Sequence, residues 1–177
     1  LAASMRAHRH GGALLVVPAE NPAFWNSLVV PVLYAVEPPF SELAQMAARE
    51  AEESESHEWQ EDLRRAVDAI AGLTAVDGAT VINDRFELIA FGAKIARRRG
   101  SPQVERVVVT EPVEGSEVDI VAPAQLGGTR HLSAAQFVHD QRDAIALVAS
   151  QDGRFTIFKW SPTEDMVHAH RVEALLI

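Results

Sequence analysis

The sequence predicts an α/β (α+β) domain, a mixed central β-sheet flanked by helices on both faces. Three observations lead there. Residues 57–71 place Trp59, Leu63, Ala66, Val67 and Ile70 at i, i+4, i+7, i+8 and i+11, a single apolar helical face. Beyond residue 78 the apolar pattern shortens to strand-like runs joined by turn residues, Asn83–Asp84–Arg85 in one pair and Asp152–Gly153 in another. Hairpins interspersed with single helices build a mixed sheet with helices packed on it, not a bundle or a sandwich.

Each element follows from local chemistry. Ala13, Leu14, Leu15, Val16 and Val17, stopped by Pro18, form a short buried strand. Four prolines between residues 21 and 39 predict loop and short turns around Phe24, Trp25 and Tyr34. Ser41 offers an N-cap for a helix reaching about residue 53, and a second helix over 57–71 is closed by Gly72. Strands are expected over 79–83 and 86–95, with two more around Val107 to Val109 and Val118 to Val121. Gly127 and Gly128 then precede a helix from Thr129 or Ser133 to His139. Residues 143–149 and 154–160 form a second hairpin, and Pro162 starts a last helix carrying Met166 and Val167.

At 177 residues the chain suits one domain able to bury a core without staples. It begins at Leu1, not Met, and reads as a piece of something longer, with no signal pattern and no apolar run long enough to span a bilayer. The absence of cysteine excludes thiol catalysis, cysteine-ligated zinc and iron–sulfur clusters, and fits a cytoplasmic protein. The net charge of −9 is concentrated: residues 41–62 hold eight acidic side chains and one basic one. That is a solvated face, and it argues against binding to duplex nucleic acid.

Two short segments could carry chemistry. Asp77–Gly78–Ala79 puts a carboxylate at a strand entrance beside a glycine that lets backbone or ligand come close, although an Asp-Gly turn bonding its own backbone would look the same. Gly127–Gly128–Thr129–Arg130–His131 combines exposed backbone N–H groups, a hydroxyl, a fixed cation and an imidazole at a helix start. It is a cradle for phosphate oxygens or, equally, a glycine loop with a polar helix entry. Lys94, Arg97, Arg98, Arg99 and Arg106 could contact a polyphosphate if their loop folds over the pocket. The pairs His8/His10 and His168/His170 read as surface histidines in helix or loop, not as metal ligands. No serine–histidine–acid arrangement stands out.

The order of these pieces resembles the diadenylate cyclase domain: an amphipathic helix, Asp77–Gly78–Ala79 opening a hairpin, Gly128–Thr129–Arg130–His131 opening a helix, then a strand ending at Ser150 and a hairpin. The similarity covers residues 41–160, and the N-terminal stretch through His10, Gly11, Gly12 and the segment Tyr34 to Phe40 looks more like divergent bacterial relatives described as sensor domains. The resemblance implies an adenine nucleotide site in which Asp77 holds Mg or Mn near a ribose 3′-hydroxyl. It also implies that Gly128, Thr129, Arg130 and His131 grip phosphates, with Gly78, Ala79 and Ser150 beside them; Asp77, Arg130 and His131 are then the catalytic candidates. Three departures separate this chain from the cyclases. Leu132 replaces a second arginine, Ser150–Gln151–Asp152 carries an amide where a carboxylate is expected, and the connection from the first hairpin to Gly128 is long. The leading expectation is therefore a nucleotide-binding sensor domain for ATP, cyclic di-AMP or a related nucleotide. The alternatives are an active cyclase, which would need two copies face to face, and a non-catalytic interaction module.

Overall fold

A computed structural model describes residues 1–48, 56–112 and 118–172. In chain order the elements are α1 (Ala2–Ala7), β1 (Gly12–Val17), a 3-10 turn (Pro22–Ser27), β2 (Tyr34–Phe40), α2 (Glu42–Ala47), α3 (His57–Leu73), β3 (Ala79–Asn83) and β4 (Leu88–Ala93). There follow β5 (Val107–Thr110), β6 (Asp119–Val121), a second 3-10 turn (Pro123–Gln125), α4 (Thr129–Asp140), β7 (Ile145–Ala149), β8 (Phe155–Ser161) and β9 (Met166–Arg171). The described strands form one mixed sheet in the order β2-β4-β3-β1-β7-β8-β9-β5-β6. Its parallel pairs are β1 with β3 and β5 with β9.

Strand alternation sends neighbouring residues into two separate cores. Ala13, Leu15 and Val17 of β1 and Val81 of β3 point to the face covered by α4, where they meet Ala134, Ala135, Phe137 and Val138. Leu14 and Ile82 point the other way, against Met5 of α1, Leu43 of α2 and Ala66, Ile70 and Ala71 of α3. Helices therefore cover both faces of the sheet. Strand β1 sits between β3 and β7, is buried along most of its length, and has the unbroken apolar run of a central strand.

Several local expectations are corrected. Residues 34–40 are a strand despite Pro38 and Pro39, because β2 lies at the sheet edge, where a missing N–H breaks no ladder. The region after Pro162 is strand β9 and not a helix: Val167 and Ala169 are buried while Met166, His168 and His170 alternate with them, and β9 is hydrogen-bonded between β8 and β5. The short helix α1 has no counterpart in the sequence reading. Helix α2 follows Ser41 and ends at Ala47; its expected continuation over 49–53 lies outside the described residues. Helix α3 runs through Gly72 to Leu73, with the buried Thr74 hydroxyl donating to the Ala71 carbonyl at 2.6 Å. Its apolar face is graded: Ala66 and Ile70 are buried, whereas Trp59, Leu63 and Val67 are half-buried.

Candidate functional site

A cleft of about 620 Å³ opens at the sheet end where β1 and β3 begin and β4 and β7 finish. Register explains the space. Ala79 lies opposite Ala13 on one side and Ala93 on the other, and Ala13 lies opposite Val148, so a row of small residues crosses four adjacent strands. The N-terminus of α4 passes over this row, and the short side chains leave room beneath it. The volume falls in the range of small-molecule sites.

The structure brings the candidates of the two motifs to this one cleft: Asp77, Gly78 and Ala79 from one wall, Gly128, Thr129, Arg130 and His131 from α4, and Ser150 after β7. Gly78 has φ +113°, and a Cβ there would lie 2.5 Å from the Gly92 carbonyl carbon, so the chain entering β3 rests directly on β4. Glycine is required at that position by conformation and by space. Gly128 is the N-cap of α4, with extended backbone and no side chain to accept from the first turn. Beyond its chain neighbours nothing of the protein lies within 4 Å of where its Cβ would be, so the start of the helix borders open space, while the His131 N–H donates to the Gly128 carbonyl at 3.0 Å. Gly127 differs: a Cβ there would stand 2.4 Å from His131 Nδ1. His131 is 3% exposed, its ring edge-on to Phe158 at 6.1 Å between centroids, so it forms the floor of the cleft below the exposed Thr129.

Arg130 reaches backward from α4 toward the start of β1. Its Nη1 lies 3.1 Å from the Cβ position of Gly11, a residue at φ +70° whose bare Cα makes room for the guanidinium and for Gln151. Gln151 lines the cleft where the resemblance expects a carboxylate, and its Nε2 donates to the His10 carbonyl at 3.3 Å. The Ser150 hydroxyl donates to Asp152, holding that carboxyl below its ordinary range, and the Gly153 N–H closes the turn on the Ser150 carbonyl at 3.1 Å.

Lys94 was legible only as one cation of a basic run. Its Nζ donates to Asp77 Oδ2 in an ion pair at the cleft wall. That hydrogen bond first, then the ammonium charge and more weakly the Arg130 guanidinium, hold the Asp77 carboxyl below the usual carboxylate range. The rest of the basic run does not fold over the cleft. Arg97, Arg98 and Arg99 are exposed, and Arg98 lines a second cavity of about 440 Å³ at the far end of α4. Leu132 is half-buried and is not among the residues lining the cleft, so the arginine it replaces would not simply have pointed into this space.

One of the two histidine pairs lies in a strand and not in helix or loop. His168 and His170 lie on one face of β9 with centroids 5.7 Å apart; His168 contacts Glu164, and His170 Nδ1 lies 2.6 Å from Thr110 Oγ1. Among the described residues no group of three histidine or carboxylate side chains is arranged to hold a metal ion. No described helix is long and apolar enough to cross a membrane. Neither protein-family models nor curated proteins match this chain.

Proposed function

We propose that the chain is a nucleotide-binding domain of sensor type, taking ATP, cyclic di-AMP or a related adenine nucleotide in the cleft between β3 and the N-terminus of α4. The observation that carries the reading is the anion-accepting corner of that cleft. Unfilled space over Gly128, the N-terminus of α4 and the Arg130 guanidinium all border it. A helix N-terminus beside a fixed guanidinium suits phosphate oxygens on electrostatic grounds, and the row of alanines suits a flat apolar base. The preference for adenine is carried over from the resemblance.

Binding is favoured over synthesis. Condensing two ATP molecules needs a base or a metal at the ribose hydroxyl, and the carboxylate in that position, Asp77, is engaged by Lys94. Gln151 supplies an amide where a second carboxylate would stand. Titrating the purified chain with ATP and with cyclic di-AMP in a calorimeter tests the reading. Saturable heat is expected, and Arg130→Ala should weaken it by ~1.5–3 kcal/mol, the loss of a hydrogen bond to a charged partner. Absence of saturable binding by any adenine nucleotide would leave only an interaction module, and cyclic di-AMP appearing in an ATP incubation would establish the cyclase.

A further inference from the structure

We infer that the cleft receives the phosphates of its nucleotide without a divalent cation, the Lys94 ammonium standing at Asp77 where the resemblance places Mg or Mn. The inference rests on the nucleotide-binding reading and specifies its chemistry.

Placement is the first argument. Lys94 is the residue directly after β4, and its carbonyl accepts the Val29 N–H at 2.8 Å, while Leu28 and Ile95 form an antiparallel bridge on one side of it. The Ala96 N–H donates to the Ser27 carbonyl at 2.9 Å on the same side. Asp77 is fixed independently, because Gly78 at φ +113° presses against Gly92 and Ala93, the residues immediately before Lys94. These backbone contacts bring residues 77 and 94 side by side, and their side chains meet in an ion pair. The pair is largely exposed, with side-chain exposures of 52% for Lys94 and 90% for Asp77, so its contribution to holding the fold together is slight.

Charge is the second argument. Among the described residues the cleft lining contains one carboxylate, Asp77, and two cations, Lys94 and Arg130. A divalent ion at Asp77 would have to displace Lys94 from its partner and stand beside both cations, and among the described residues of the lining Asp77 is the one carboxylate that could hold it. Without a metal, an isolated Asp77 would repel phosphate. Lys94 removes that repulsion and has further N–H donors to direct at phosphate oxygens, which are the two services a bridging cation would perform. Among its described residues the lining offers a divalent ion a single carboxylate, already paired with Lys94, and it suits a metal-free phosphate site better than a Mg or Mn site.

Calorimetry of the purified chain with ATP and with cyclic di-AMP, in excess EDTA and again in millimolar magnesium, tests this. Affinities in the two buffers should agree within about threefold, and Lys94→Met should weaken binding in EDTA by ~10–100-fold, the equivalent of one hydrogen bond to a charged group. In the same variant magnesium should recover part of the loss, since Asp77 is released. Binding by the unsubstituted chain in magnesium but not in EDTA would overturn the inference and leave the nucleotide reading intact; absence of binding in both buffers would end both. A second measurement needs no nucleotide. Titrating Mn²⁺ alone, followed by water-proton relaxation, should show no saturable site that Asp77→Asn abolishes, and such a site would refute metal independence directly.

Discussion

Asp140, the last residue of α4, offers a stability test whose size can be worked from its contacts. Its side chain is fully buried. It accepts from the Ser101 hydroxyl, from the Arg98 N–H at 2.8 Å and from Gln136 Nε2 at 3.0 Å, with His139 Nδ1 at 3.1 Å. These bonds fasten residues 98–101 to the end of the helix whose other end forms the cleft. In Asp140→Ala, Gln136 keeps a second acceptor in the Pro102 carbonyl at 3.1 Å, and Ser101 can turn toward His139, already 3.5 Å away. The Arg98 N–H has no such second acceptor within the network. The loss is then about one charge-assisted bond plus one under-satisfied amide, or ~2–4 kcal/mol. Asp140→Asn retains one acceptor oxygen and should cost about half as much, ~1–2 kcal/mol. Burial alone would raise this carboxyl, but the bonds from Ser101, the Arg98 amide, His139 and Gln136 outweigh it and bring it below the usual range. A depressed folded pKa means that its stabilisation is complete above the unfolded value, ~3.9, and is lost as pH falls through the folded value. Urea unfolding followed by tryptophan fluorescence, at neutral pH and at steps down toward pH ~3, measures both effects. An Asp140→Ala loss within experimental error of zero, or a gap between wild type and Asp140→Asn that widens on acidification, would refute the reasoning.

Other substitutions probe the cleft. Ala79→Leu places an isobutyl group into the alanine row, and it should reduce nucleotide affinity at least ~10-fold at a folding cost of ~1–3 kcal/mol or less, because the added atoms have the cleft to enter; unchanged affinity in calorimetry would mean the ligand sits elsewhere. Gly78→Ala meets both an unfavourable φ and the Gly92 carbonyl, and should lower stability by roughly 2–5 kcal/mol in the same urea assay, with a neutral result contradicting the tight β3–β4 approach.

The broad class of this fold, and the motif residues that come to line its cleft, were legible in local sequence. The periodicity of residues 57–71, the bounds of β3 at Ala79–Asn83 and the glycine-led start of α4 at Thr129 are set by patterning and capping, which act over a few residues. The eight site candidates were found by motif order. What failed was context. The run Met166 to Arg171 is ambiguous on its own, and it becomes a strand because β8 and β5 present hydrogen-bonding edges on both sides of it. Residues 34–40 look broken by prolines until the sheet edge makes the missing donors harmless. Arg97 to Arg99 read as a solvated loop that could reach a polyphosphate if it folded over the pocket; all three are exposed, and Arg98 lines a cavity at the far end of α4. The Lys94–Asp77 pair joins residues 17 apart through the close approach of Gly78 and Gly92. Sequence by itself determined which charged, hydroxyl and glycine groups this chain carries in its two motifs. Only tertiary structure decided which of them face one another, because strand register and backbone approach are set by cooperative packing and not by any residue's own preference.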